Sequence, residues 1–477
     1  MLLLKCGSLS QKYPDQVLLN NETVYTTARQ ELWSTIQGAV SPACFFRPGN
    51  SAEVSGAVIA ARDAKCLFAV KSGGHSAYAA STIQGGLVID LVNMDAVSFS
   101  EDKKSATIEP GNTWDKVYPV LQEHGLIVPG GRMFGVGVGG LTLGGGVSWL
   151  SNLLGWTCDN VLEYELVLAD GQIVSVTATS HPDLYWALRG GGSNYGIVTK
   201  LKFNAYAQDK IWFGRVRFND TTNATFNHAY ADWGSLQAPT DLRSGGVLVW
   251  NAFANSKPVG VALLIHANTY ENDTHPKVFD KFYNEDATRF EAANTYHGDL
   301  AKTLVIPAGA TRNSMWTTSF TLDTELLQRA YEIWEEETRS IASFAAVQQL
   351  QVQVITVSQM ELMKRAGGNP SGLVGQKKAI GFLNLLTQWN DAADDRAAYL
   401  AQQRMESRID AAAKERGLYN EYKYTNYASQ FQDPFSGYGK ANKKRLLDIA
   451  KKYDPEGVFQ ILEPYGFKIT KGSPQTL

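Results

Sequence analysis

The chain has 477 residues, 44% of them apolar and 19% charged, and 44 Lys and Arg against 47 Asp and Glu give a net charge of −3. That is apolar material for more than one compact unit. There is no basic stripe, like-charge block or membrane-length apolar run, so neither nucleic acid nor a bilayer is expected as a partner. The four cysteines, Cys6, Cys44, Cys66 and Cys158, lack the paired spacing of a metal site, and no metal is expected. Either they stay reduced, or Cys6 and Cys44 form a disulfide that ties down an N-terminal arm with little packing of its own. Sequons at Asn21, Asn219, Asn223 and Asn272 favour a secreted or endomembrane location, with any signal peptide already missing, over a cytoplasmic one.

In chain order, Asn50-Ser-Ala-Glu53 reads as a capping box opening a helix that ends near Lys65, with Val54, Val58 and Ile59 on its apolar face. Leu67–Val70 predicts a strand, Ser72–Ser76 a tight loop, and Gly86–Leu91 a second strand. Tyr164–Leu168 followed by Ala-Asp170-Gly171 predicts a hairpin, 182–188 a helix and Ile197–Phe203 a further strand. The later chain mixes strands at Val247–Val249, Val261–Ile265 and Leu350–Ile355 with helices at 323–342, 394–416 and 443–452. Leu350, Val352 and Val354 alternate with Gln351 and Gln353, as in a half-buried strand. The pattern is α+β, not a regular βαβ alternation.

Glycines crowd into 73–74, 85–86, 130–146 and 190–196, marking backbone that must approach something closely. Gly135–Gly140 fits G-x-G-x-x-G, but it lies in mid-chain and opens no convincing helix, so a Rossmann NAD site is the weaker reading. The nearly side-chain-free track through Gly146 instead suits a diphosphate or flat ring held by main-chain amides. Within Lys71-Ser-Gly-Gly-His75-Ser76 the two glycines let amides converge on a phosphate. Taken alone, His75 is a turn residue.

The motifs together change that reading. Phe46-Arg-Pro48, Phe68–Ser76, Gly137-Val-Gly-Gly140, Gly144–Gly146, Asp159-Asn-Val161, Ala169-Asp-Gly171, Asp183–Gly192 and Tyr195-Gly-Ile-Val198 occur in one order that resembles the FAD-linked oxidases of the vanillyl-alcohol oxidase superfamily, in the branch similar to berberine bridge enzyme. The closest flavour is that of fungal secondary-metabolite oxidases. The match resumes at Tyr424-Thr-Asn-Tyr427 and Tyr438–Asn442. It implies a two-lobed fold with a PCMH-type FAD-binding domain and a substrate lobe built on an antiparallel sheet. The divisions are an arm at 1–37, the FAD domain at 38–208, the substrate domain at 209–420, and a C-terminal segment at 421–477 returning to the FAD lobe.

The resemblance also implies site residues. His75 would bond covalently to the flavin 8α-methyl carbon. Lys71, Ser72, Gly73, Gly74 and Ser76 would surround the pyrophosphate, with Gly137, Gly139, Gly140, Thr142, Gly145 and Gly146 along the glycine track. Gly196, Ile197 and Val198 would hold the adenosine side, and Asn442 would reach the pyrimidine edge. Many relatives form a second bond from a cysteine where this chain has Met133, so FAD is expected on one bond only and the substrate is expected to be small and apolar. Cys158 is too far along the chain to take that cysteine's place. Relatives place a small or β-branched residue beside the flavin when dioxygen is the oxidant; Val136 stands at that position and is compatible with an oxidase, or is simply an apolar packing residue. Tyr424 and Tyr427 are the candidate bases, though a tyrosine needs a cation or the flavin to help it. Gln351 and Gln353 face either substrate or water, and His124 and His266 are read as structural or surface residues. The expected function is an FAD-dependent oxidase that takes hydride from an alcohol, amine, sugar or secondary metabolite and gives hydrogen peroxide from dioxygen. A redox-neutral isomerase or cyclase and a flavin carrier without turnover are the alternatives. A monomer is expected.

Overall fold

The computed structural model describes residues 2–254, 256–271, 274–305 and 311–477, residues 2–5 by backbone alone. The sequon at Asn272 lies outside the described residues. Two small sheets build the first lobe. Strands β1 (Val17–Leu19), β2 (Cys44–Phe46), β3 (Phe68–Lys71) and β4 (Leu87–Asp90) form one, in the order β1-β2-β4-β3. Both β2 and β3 run parallel to β4, and β1 is antiparallel to β2. The helix Ser51–Asp63 crosses between β2 and β3. Asn50 accepts from the Glu53 amide, and Glu53 accepts in return from the Asn50 side chain and from Gly49 N. Its buried face is Val54, Ala57, Val58 and Ala61, whereas Ile59 is only half-buried.

The second sheet of the lobe joins β5 (Val97–Phe99), β6 (Ser105–Ile108), β8 (Val161–Val167), β9 (Ile173–Thr177) and β10 (Ile197–Asn204) in the order β5-β6-β10-β8-β9. The hairpin read from Ala-Asp-Gly is β8–β9. A short pair, β7 (Leu126–Ile127) with β11 (Tyr206–Ala207), closes the lobe.

The second lobe rests on one antiparallel sheet of eight strands. They are β12 (Ile211–Asn219), β13 (Ser244–Phe253), β14 (Val259–His266), β15 (Arg289–Thr295), β16 (Arg312–Thr321), β17 (Val347–Ile355), β18 (Ile380–Trp389) and β19 (Tyr419–Asn420). The order is β15-β12-β14-β13-β17-β18-β16-β19. Helices Thr324–Ser340 and Asp395–Glu415 cover one face, against which Leu350, Val352 and Val354 are buried with Trp250 and Trp316. Gln349, Gln351 and Gln353 consequently point to the opposite face, as strand alternation requires. That face is a cavity wall.

The N-terminal arm departs from expectation. Beyond the Cys6–Cys44 disulfide, with Cα atoms 6.4 Å apart, β1 pairs with β2 and both Leu32 and Trp33 are buried. Ser34 also reaches the second lobe, accepting from Asn313 N. Too few apolar residues recur at a helical or strand period for a pattern reading to see this packing. At the far end of the chain, Phe459 packs edge-on against Phe68, and Gln460 donates to Asn194. Of the sequons, Asn21 is exposed. Asn219 caps a turn at Thr221, and the Asn223 amide is tied to Asp220 and Gln328.

Candidate active site

A cavity of about 580 Å³ lies between the glycine loops of the first lobe and the amide-bearing face of the second sheet. Its size falls within the range expected of a small-molecule or cofactor site.

On the first-lobe side, β3 leads into Ser72–Ser76, and this loop touches the Gly135–Gly140 loop backbone to backbone. A Cβ on Gly73 would lie 2.5 Å from Gly137 N, and one on Gly137 would lie 2.4 Å from Gly73 N, so neither position admits a side chain. Ser72 stitches the same junction: its hydroxyl donates to the Pro110 carbonyl and accepts from Gly139 N. Ser72 therefore borders the cavity while its side chain joins two loops instead of facing a phosphate. Gly74, Ser76, Val136, Gly139, Gly196, Ile197 and Val198 all line the cavity. So does Gly140, over which an added Cβ would meet nothing within 4 Å.

His75 lines the same space. Its ring stacks on Trp33 at 4.4 Å and 11°, and its Nε2 is buried without a hydrogen-bond partner. Burial holds the imidazole down to about 4, so at neutral pH it is uncharged. The loop carrying it is held by the arm: Trp33 N donates to Gly74 O, and Gln37 Nε2 donates to the carbonyls of Gly74 and Ser76. Sequence reading passed over Trp33 and Gln37, because their partners lie some forty residues on.

Other expected cofactor residues sit elsewhere. Lys71 turns into a buried ion pair with Asp90 at 2.9 Å, because a lone ammonium would be costly in the β3–β4 core. Thr142 is buried inside the helix Val138–Leu143, donating to Val138 O; the glycine motif does open this short helix, contrary to the expectation from sequence. Gly145 and Gly146 are glycines for packing. Both have positive φ, and Cβ atoms there would fall 2.9 Å from Trp156 and 2.5 Å from Thr157. Asn442 is on the helix Lys440–Tyr453, where its amide donates to Pro370 O and Tyr438 O and lies away from the cavity lining. Cys158 is buried beside the Arg189–Asp159 pair. His266 is buried against Asp241, and exposed His124 lies against Phe99.

The C-terminal segment and the second sheet close the cavity from the other side. Tyr424 is buried, with its oxygen accepting from Val147 N and Asn426 Nδ2. Burial pushes its phenol up from the ordinary tyrosine value. Tyr427 is only half-buried. Its oxygen accepts from Arg132 Nη2 at 2.8 Å and from Gln353 Nε2 at 2.9 Å, while a second bond from Arg132 Nη2, 2.7 Å long, goes to Gln353 Oε1. Arg132 lies over the Trp149 ring at 5.4 Å. This arginine places a cation against the Tyr427 oxygen, and sequence reading did not single it out. It is 295 residues from Tyr427 in the chain, and its one local signal is a charge at the end of Pro129-Gly-Gly. Met133, half-buried in the lining, has no thiol to offer.

The residues present fit an FAD. A buried nitrogen without a partner borders the cavity, two glycine loops expose main chain to it, and the lining continues to residues 196–198. Comparison with known proteins agrees. Residues 42–177 match the family model described as an FAD binding domain. The chain is 34% identical over 457 residues to an FAD-dependent monooxygenase of Cochliobolus heterostrophus, covering 92% of this chain and 86% of that one. It is 31% identical to the bifunctional solanapyrone synthase of Alternaria solani, covering 98% and 89%. Among solved structures, the berberine-bridge-enzyme-like protein 1 of Physcomitrella patens superposes with a TM-score of 0.80 at 20% identity, over 98% of both chains. The chain is thus an FAD-linked oxidoreductase belonging to the family of the fungal FAD-dependent monooxygenases and solanapyrone synthase, and it shares the fold of the berberine-bridge-enzyme-like proteins.

Proposed function

We propose that the protein is an oxidase that removes hydride from a small organic substrate to FAD N5, with dioxygen as final acceptor and hydrogen peroxide as the second product. The observation that carries this reading is the pairing of two features across one cavity: the partnerless Nε2 of His75 on one wall, and Tyr427 with its two donors on the other. A neutral imidazole presents a lone pair, so His75 is the residue to hold FAD at its 8α carbon, by one bond because Met133 supplies no second. Fixing the ring there also favours hydride removal from poor donors.

Tyr427 is the better base of the two tyrosines. The form of Tyr427 that can take a proton is the phenolate, and its charge meets a guanidinium and an amide N–H already in place, so no reorganisation is needed. Tyr424, buried and pushed up, keeps its proton and serves to fix Val147 and Asn426. Val136, half-buried in the lining, would stand beside the flavin and is compatible with dioxygen as the oxidant. The Cys6–Cys44 disulfide supports passage through an oxidising compartment.

Acid precipitation tests the attachment: the yellow colour should stay with the pellet, and a His75→Ala variant should release it. Anaerobic mixing with substrates found by a peroxide screen tests the chemistry. Bleaching of the flavin is expected. Product formed with the flavin spectrum unchanged would replace the oxidase reading with a redox-neutral one.

A further inference from the structure

The cavity is lopsided in charge. Among the described residues lining it, the cationic side chains are Arg132, Arg215 and Arg217, and the carboxylate is Glu463. Glu463 is neutralised by a buried ion pair with Lys468 at 2.8 Å. Arg215 and Arg217 share one acid, Glu291, at 3.8 and 3.7 Å, longer than a charge-assisted hydrogen bond, while the other oxygen of Glu291 is held at 2.7 Å by Arg289. One carboxylate thus faces three guanidiniums. The two on β12 are left with positive potential directed at the cavity.

Their place on the sheet gives that potential a direction. Cross-strand register puts Arg217 opposite Val261, Val261 opposite Val249, and Val249 opposite Gln351. Val247 and Leu263 flank this row and also line the cavity. An apolar strip two strands wide therefore separates the arginines from the amide column near Tyr427. Three strand spacings amount to about 14 Å. Exposure runs the same way, from Gln353 at 2% to the Arg217 side chain at 49%, so the arginines stand at the cavity's open end.

We infer that the substrate is an elongated apolar molecule ending in a carboxylate, which Arg215 and Arg217 bind at the mouth while its reacting end lies against Tyr427. This rests on the oxidase reading for the identity of the reacting end, but the anion site itself is tested without turnover. A weakly hydrated, forked guanidinium pair suits a carboxylate, and an aliphatic or aromatic middle suits the valine and leucine strip.

The test compares 6-phenylhexanoate with 6-phenylhexanamide, binding to the flavin-loaded protein being read from perturbation of the visible flavin spectrum. The acid should bind at least tenfold more tightly at low salt, with the ratio falling as ionic strength rises. Arg215→Gln/Arg217→Gln should bring the ratio close to one, whereas Arg243→Gln, on an exposed turn outside the lining, should leave it unchanged. Glu291→Gln, which releases both guanidiniums, should tighten binding of the acid several-fold and so gives a readout if the double variant folds poorly. Equal behaviour of the two probes, including no perturbation by either, overturns the proposal. So does an acid preference that survives the double variant. Failure of flavin bleaching in the anaerobic experiment would remove the oxidase reading and leave this binding result standing.

Discussion

Replacing Arg132 by methionine isolates the cation beside Tyr427. The guanidinium Nη2 is 2.8 Å from the phenol oxygen. Two unit charges at that separation interact by about 6 kcal/mol at an effective dielectric constant of about 20. The guanidinium charge is spread over three nitrogens and the cavity admits water, so about half of that, roughly 3 kcal/mol, is a fair expectation for holding the phenolate that takes the substrate's proton. It corresponds to a loss of about 100-fold in kcat, similar to the removal of one oxyanion donor elsewhere. The assay is stopped-flow reduction of the flavin under anaerobic conditions, which separates the chemical step from reoxidation and product release. Flavin content and far-ultraviolet dichroism should match the parent, because the methionine stem keeps contact with Trp149. The decisive comparison is the double variant. If Arg132 acts through Tyr427, Arg132→Met/Tyr427→Phe should be no slower than Tyr427→Phe alone. Additive losses, or a rise in KM with kcat intact, would show that Arg132 binds substrate directly, and the base assignment would fall.

Three further outcomes follow from the same geometry. Met133→Cys in a His75→Ala background should restore acid-stable flavin through the thiol, seen as a flavin-bearing peptide by mass spectrometry; a colourless pellet would mean that the 132–137 loop does not bring this position to the ring. Trp33→Ala removes the surface on which His75 stacks and should cost about 3–5 kcal/mol. It should also lower the fraction of flavin covalently bound at a given loading time, and an unchanged fraction in folded protein would deny the arm its positioning role. His297 is held down to about 4 by burial, so the unfolded chain takes up a proton that the fold does not. Stability present above pH 6.5 is then lost as the pH falls towards 4, by up to about 3 kcal/mol. His297→Leu should flatten that acid slope, and a slope identical to the parent's would contradict the assignment.

What the sequence made legible was the part of the site built by contiguous backbone. The His75 loop and the Gly135–Gly140 loop announce themselves because their approach forbids side chains, and a missing side chain is visible in a sequence. The same signal misled at Gly145 and Gly146, where the crowding neighbours are Trp156 and Thr157 and no ligand is needed to explain it. Lys71 was carried over with its loop, yet a residue at the end of a buried strand has its direction set by alternation, and here that direction leads to Asp90. Nothing comparable marks Arg132, and nothing local ties it to Gln353 and Tyr427. Their relation exists only once β17, the C-terminal segment and the Pro-Gly-Gly loop are folded together, and it rests on three hydrogen bonds that span 295, 221 and 74 residues. Charge and amide groups brought together over such separations leave no local period, so the cofactor end of the cavity can be read from motifs. The substrate end has to be read from register: Gln353 faces the cavity because Val352 and Val354 face the helices. The same register puts Gln351 in line with Arg217, and on the proposal above that makes the second sheet, not the glycine loops, the determinant of what this enzyme accepts.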